Sequence, residues 1–189
     1  MNIDSILFAG VGGDGIITAS NVAAEAFILA GFDVKKSEIH GMSQRGGSVS
    51  ASVRFGEKVY SPTDKLGSVS FVIATEKIEA LRCVKYLHKD SIMIINDRIM
   101  PIINQEINEA EIDAMIKSIN IQTIHIDNFL EFAKKLNNEK VINTIMLGVL
   151  ANYLPIDNKY FHKAIENIIP SKIKAVNIAA FNEGLSIGK

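Results

Sequence analysis

The chain has 189 residues, 48% hydrophobic and 22% charged, which suits one globular domain without low-complexity linkers. Its formal net charge of -1 argues against a general nucleic-acid or acidic-surface binder. No apolar run reaches the roughly 18 residues that span a bilayer, and Met-Asn-Ile-Asp-Ser lacks the basic opening of a secretory signal, so a cytoplasmic location is expected.

Ser5–Ala9 is a short apolar run that ends at glycines, as a buried strand does. The glycine cluster Gly10-Val11-Gly12-Gly13-Asp14-Gly15 follows, then a helix over residues 16–30 closed by Gly31. Phe32–Lys36 reads as a second strand, which makes a βαβ unit with parallel strands. Residues 37–47 show neither helical nor strand spacing and read as a loop. Val49, Ala51, Val53 and Phe55 then alternate with polar residues, the period of a strand with one apolar face. Gly56-Glu57 is expected to turn this strand back on Lys58–Tyr60, giving an inserted hairpin.

Val69–Ala74 is another buried strand, with Thr75 or a neighbour capping a helix that runs to about Leu87. Ser91–Asn96 and Ile121–Ile126 are further strands, flanked by helices near Glu109–Ser118 and Asn128–Leu136. Pro155 and Pro170 divide the remainder into three helices, Val141–Tyr153, Lys159–Ile168 and Ser171–Leu185. The expected fold is α/β: a three-layer, open, mostly parallel, Rossmann-like sheet with an inserted β-hairpin and a helical C-terminal part.

Gly10, Gly12 and Gly15 match G-x-G-x-x-G between a strand and a helix, the context of a phosphate-binding turn. Two features oppose a simple dinucleotide site. Asp14 places a carboxylate where a pyrophosphate would sit, and Glu38 is the nearest candidate for the ribose-binding acid after the second strand. No Gly-Lys-Ser/Thr completes a P-loop. Gly13-Asp14-Gly15 also echoes the start of a thiamine-diphosphate signature, but the Asn pair that signature needs is missing from the 37–49 stretch.

The single cysteine, Cys83, excludes an intrachain disulfide and an iron–sulfur cluster held by this chain alone, since a cluster takes about four cysteine ligands. It shares a helical face with Ala80, Val84 and Leu87 and reads as a small core residue. His88, His125 and His162 have no ligand spacing, so no metal site is assigned.

Ser37-Glu38-Ile39-His40-Gly41-Met42-Ser43-Gln44-Arg45-Gly46-Gly47-Ser48-Val49 is the most distinctive stretch. Together with Gly10–Ile16, Val53-Arg54-Phe55-Gly56, Asn143–Gly148 and Asn177–Gly184, it resembles the gamma subunit or gamma domain of the 2-oxoacid:ferredoxin oxidoreductases. The pattern is nearest to the small beta subunit of the indolepyruvate type. The resemblance covers nearly all of residues 1–189, read as a single gamma-type domain. Asp14 departs from it, because the family usually has Gln there.

The resemblance implies an accessory subunit of an enzyme that oxidatively decarboxylates a 2-oxo acid, makes its coenzyme A ester and reduces ferredoxin. Thiamine diphosphate, magnesium and iron–sulfur clusters would belong to a larger partner subunit. No catalytic residue is assigned to the isolated chain, which is expected to be inactive and to be able to pair with itself as a homodimer when the partner is missing. His40, as an acid–base or hydrogen-bonding group, and Arg45, as a carboxylate or phosphate ligand, are the candidates to contribute to a partner's site. The alternatives are a surface histidine and an Arg45–Glu38 salt bridge. Gly10, Gly12, Gly13, Asp14, Gly15, Glu38, Gly41, Ser43, Gln44, Gly46 and Gly47 are the candidate cofactor-binding or loop contacts. Arg54, on the polar face of its strand, reads as structural or solvent-exposed. Two other classes stay open: a stand-alone dinucleotide-dependent oxidoreductase and a non-catalytic interaction module.

Overall fold

Six strands form one sheet in the order β2-β3-β1-β4-β5-β6 in the computed structural model, which describes residues 3–41, 46–100, 107–126, 129–136, 138 and 141–187. The strands are β1 (Asp4–Val11), β2 (Asp33–His40), β3 (Ser48–Gly56), β4 (Val69–Ala74), β5 (Leu87–Asn96) and β6 (Gln122–Ile126). The helices are α1 (Ile16–Leu29), α2 (Lys77–Cys83), α3 (Glu109–Lys117), α4 (Phe129–Lys135), α5 (Ile142–Ala151), α6 (Asn158–Ile168) and α7 (Ser171–Ile187).

β1, β4, β5 and β6 run parallel, and β1, β4 and the second half of β5 have near-continuous apolar sequence because both faces of the sheet are covered there. On one face Ile6, Phe8, Ile73 and Ile94 pack under α1, α5, α6 and α7. On the other, Leu7, Ala9, Val72, Met93 and Ile95 pack under α2 and α3, with Ala80 and Cys83 among them. Cys83 is therefore the core residue its spacing predicted.

The inserted hairpin exists, but its strands are not the expected ones. β3 pairs antiparallel with both β1 and β2, and so lies between the two strands of the βαβ unit. Lys58–Tyr60 forms no strand. Instead Val59 N donates to Asp33 Oδ2 at 2.9 Å, which together with Lys35 holds the Asp33 carboxyl below its ordinary pKa. The physical reason is burial: Val53 and Phe55 fit under α1 only if β3 abuts β1, and β2 then takes its outer edge. Ser37–His40, expected in a loop, continue β2 as an edge strand. An edge strand with an open face has no apolar alternation to display.

Helix ends follow their local chemistry. Gly31 closes α1 at φ 90°, with Gly31 N donating to Ile28 O and Phe32 N to Phe27 O. Glu76, next to the expected Thr75, caps α2: its carboxylate accepts from Ile78 N and Glu79 N. That carboxylate is buried, and its pKa is raised for that reason. Asp157 caps α6 through Lys159 N.

Candidate functional site

The β1–α1 connection crosses toward β2 on one face of the sheet, while β4–α2 crosses toward β5 on the other. The connections therefore diverge between β1 and β4, and the ends of these strands open a crevice of the kind in which α/β sheets bind ligands. Gly10–Gly15 lies at this point, as do Thr75 and, after β5, Arg98.

The two glycine clusters touch. Gly12 N donates to Gly47 O at 2.8 Å, and Gly46 N to Gly12 O at 3.5 Å. The β1–α1 turn thus carries one side of the connection between β2 and β3. Gly41 N donates to Ser48 O at 3.2 Å and closes the hairpin on the strand side. Gly13, Gly15 and Gly46 adopt φ of 107°, 82° and 76°, a region closed to most side chains. His40 is exposed at the end of β2, paired in register with Val49. Ser43, Gln44 and Arg45 lie outside the described residues. Glu38 is bonded to Lys36 on the sheet edge, and the Arg45–Glu38 pair, like Arg45 itself, lies outside the described residues.

Asp14 does not stand as a bare carboxylate in the turn. Its Oδ2 accepts from Thr75 Oγ1 at 2.8 Å and from Arg98 Nη2 at 2.6 Å. Its main-chain oxygen accepts from Asn143 Nδ2 at the start of α5. Gly10 is glycine for a packing reason: a Cβ there would lie 2.0 Å from Thr75 Oγ1. Thr75, Arg98 and Asn143 join the candidate site through these bonds, which the sequence did not reveal. A groove of about 370 Å³ runs from the turn along α1, bounded by Thr18, Asn143, Thr144, Ile173 and Asn177.

A second cleft, of about 280 Å³, lies over the serine face of β3. Ser48 Oγ donates to Glu79 Oε2 at 2.6 Å, and Glu79 also binds Arg82 at 2.7 Å. Ser52 Oγ donates to Asp64 Oδ2 at 2.5 Å, and Arg54 binds the main-chain oxygens of Ser61 and Thr63, so Arg54 is structural as expected. Ile39 borders this cleft and is 70% exposed. The neighbouring segment carries Tyr60 and Leu66, 85% and 69% exposed.

Behind α2, Lys77 Nζ sits 2.5 Å from Asp97 and 2.7 Å from Asp113. Burial works to lower the Lys77 pKa, but the hydrogen bonds Lys77 donates to the two carboxylates, and their charges, outweigh it and the net shift is upward. The Cys83 thiol is pushed up to about 12, first by burial and then by the charge of Glu79. A thiol so placed is not a nucleophile at neutral pH.

Residues 5–187 match the family model described as pyruvate ferredoxin/flavodoxin oxidoreductase. The indolepyruvate oxidoreductase subunit IorB of Pyrococcus horikoshii is 34% identical over 194 aligned residues, covering 98% of this chain and 96% of that protein. The gamma subunit of a keto/oxoacid ferredoxin oxidoreductase from Geobacter sulfurreducens superposes with a TM-score of 0.75 at 19% identity, covering 98% of both chains. A 2-oxoglutarate:ferredoxin oxidoreductase from Magnetococcus marinus, solved with 2-oxoglutarate, coenzyme A and succinyl-CoA, superposes with a TM-score of 0.76 at 19% identity; the match covers all of this chain and 31% of that one. With a family match over nearly its full length and a relative of this identity, the chain belongs to the pyruvate ferredoxin/flavodoxin oxidoreductase family.

Proposed function

We propose that this chain is the small, gamma-type subunit of a 2-oxoacid:ferredoxin oxidoreductase of the indolepyruvate or pyruvate type. Residues 1–189 act as one gamma-type domain, and a larger subunit holds thiamine diphosphate, magnesium and the iron–sulfur clusters. The complex decarboxylates a 2-oxo acid oxidatively, forms the coenzyme A ester and passes electrons to ferredoxin in the cytoplasm. The isolated chain is inactive, and its open cleft favours self-association when the partner is missing.

The observation that carries this reading is the junction of the two glycine loops at the switch point, with chemistry that this chain cannot complete. Its one cysteine is buried and protonated, which does not fit an iron–sulfur ligand. The junction presents Gly46 and Gly47 and, at the end of β2, His40 for docking on the larger subunit. The exposed Ile39, Tyr60 and Leu66 border the same open half of the sheet and supply apolar area for that contact.

The dinucleotide reading fares worse. A ribose-binding acid must end the strand next to β1, but β3 occupies that place and Glu38 is displaced outward by a full strand spacing of about 4.8 Å. Asp14 remains a carboxylate at the pyrophosphate position, although Arg98 neutralises it.

Co-expression with a larger subunit tests the proposal. Reduction of ferredoxin that depends on both 2-oxo acid and coenzyme A is expected only when both chains are present. Turnover of a nicotinamide or flavin nucleotide by this chain alone would overturn it.

A further inference from the structure

Asp14 is tied to more of the fold than its place in a glycine turn suggests. Thr75 and Arg98, the two groups on its carboxylate, are themselves anchored: Thr75 N donates to Ala9 O at 2.9 Å, Arg98 N to Asn96 O at 2.7 Å, and Arg98 O accepts from Lys77 N at 2.9 Å. They are fixed points at the ends of β4 and β5. Asn143 adds a third, from α5. Around Asp14, by contrast, the turn has little to hold it. Gly13 has no atom within 4 Å of where a Cβ would be, and Gly13 and Gly15 both take positive φ. Asp14 N bonds only one turn back, to Val11 O at 3.0 Å.

Two residues before Asp14, Gly12 makes its paired contacts with Gly46 and Gly47. An unbroken path therefore runs from the β5 mouth through Arg98, Asp14 and Gly12 to the β2–β3 connection. The Asp14 side chain is 17% exposed and the Arg98 side chain 40%. With Arg98 open to solvent, water and salt screen the pair, so it adds little to stability. A fixed fork-to-carboxylate geometry supplies register instead.

We propose that Asp14, held by Arg98 and Thr75, is a positioning residue for the reaction of the assembled complex. It sets the glycine turn, the turn holds Gly46 and Gly47 just ahead of β3, and the pairing of β3 with β2 (Gly41 N on Ser48 O, His40 opposite Val49) fixes how His40 meets the partner's site. This rests on the reading above that the connection borders the partner's active centre, and the test separates the two.

The test uses the co-expressed complex with Asp14→Asn, Arg98→Ala, Arg98→Lys, His40→Ala and the double variants Asp14→Asn/Arg98→Ala and Asp14→Asn/His40→Ala. The expected result is a fall in kcat of about tenfold for Asp14→Asn and Arg98→Ala, since sub-ångström misplacement costs rate steeply. KM for the 2-oxo acid stays within about twofold, because ground-state binding is not what the pair supplies. The Asp14→Asn/Arg98→Ala double falls no further than either single, and Arg98→Lys recovers part of the loss. Asp14→Asn/His40→Ala falls by less than the product of its singles, as expected for groups acting along one path. A pair screened on its Arg98 side also predicts that the isolated chain loses no more than about 4 °C in Tm.

If His40→Ala lowers kcat while Asp14→Asn and Arg98→Ala do not, the positioning role is wrong and the loop reading stands. If all activity losses follow loss of assembly or of Tm, the pair is merely structural and the proposal is overturned. If His40→Ala leaves turnover unchanged, the loop reading fails and this inference with it.

Discussion

Gly148 of α5 and Gly184 of α7 meet backbone to backbone: a Cβ on Gly148 would lie 3.0 Å from Gly184 Cα and 2.2 Å from Phe181 O. The reverse holds for Gly184, whose Cβ would lie 2.0 Å from Ile145 O. Main-chain atoms cannot step aside as a side-chain end can. Gly148→Ala is expected to cost about 3 kcal/mol, the upper end for overpacking, and to lower Tm by roughly 6–12 °C at 2–4 °C per kcal/mol. Gly184→Ala should cost a similar amount. The two together should cost less than their sum, because the first has already forced the helices apart. Thermal denaturation of the three variants measures all of this, and additive losses would contradict the shared contact.

Gly10 and Thr75 form a second tight pair, at the crevice itself. Gly10→Ala is expected to push Thr75 away from Asp14. Removing the obstructing hydroxyl with Thr75→Ala should recover part of that loss, with a coupling of about 0.5–3 kcal/mol in a double-mutant cycle. A cycle with no coupling would mean that Ile16, the next atom in the way, decides the cost.

The Lys77 cluster predicts a bell-shaped contribution to stability. Asp113 has its pKa lowered, chiefly by the hydrogen bond from Lys77, so its contribution is present above the unfolded value of about 3.9 and is lost as pH falls through the folded one. Lys77 has its pKa raised, so its contribution is present below about 10.4 and is lost as pH rises through the folded value. The Tm difference between the native chain and Lys77→Met should therefore be greatest between about pH 5 and 10 and shrink on either side. A difference independent of pH would show that Lys77 acts through packing alone.

Cys83 should be unreactive toward a disulfide reagent in the native chain at pH 8, being 4% exposed with a thiol pKa of about 12. One equivalent should label on denaturation. Cys83→Ser buries a hydroxyl with no partner and is expected to cost about 1–3 kcal/mol, more than Cys83→Ala. Labelling of the native protein at the rate of a free thiol would refute the burial.

Elements with a periodic apolar signal could be read from the chain. Val69–Ala74 forms β4 as expected, and Pro155 and Pro170 separate α5, α6 and α7 at the expected points. The alternation of Val49 to Phe55 identified β3 but not its neighbours, since period two gives a strand two faces and says nothing about its edges. Gly56-Glu57 looked like a hairpin turn, yet the hairpin closes through the 41–47 connection.

The site was legible to the same extent. Clustered glycines mark themselves, so both loops could be found and suspected of meeting. Thr75, Arg98 and Asn143 are ordinary polar residues lying 61, 84 and 129 positions from Asp14. Only the sheet order brings them to one place. The echo at Asn143–Gly148 and Asn177–Gly184 has a structural basis: Asn143 binds the turn, Thr144 binds Asn177 at 2.7 Å, and the two glycines let α5 and α7 close.

The central place of β1 has a consequence for how the chain is made. Both neighbours of this first strand, β3 and β4, are synthesised after it, so a nascent chain ending before residue 48 carries β1 with both edges open. Ile6 and Phe8 then await later segments to cover them, and open apolar edges are the species that aggregate. Synthesis beyond β3 closes the first edge, and synthesis beyond β4 closes the second. A chain whose β3 has not yet emerged from the ribosome is therefore in its most aggregation-prone state, whereas one that has exposed residue 74 can pair β1 on both sides.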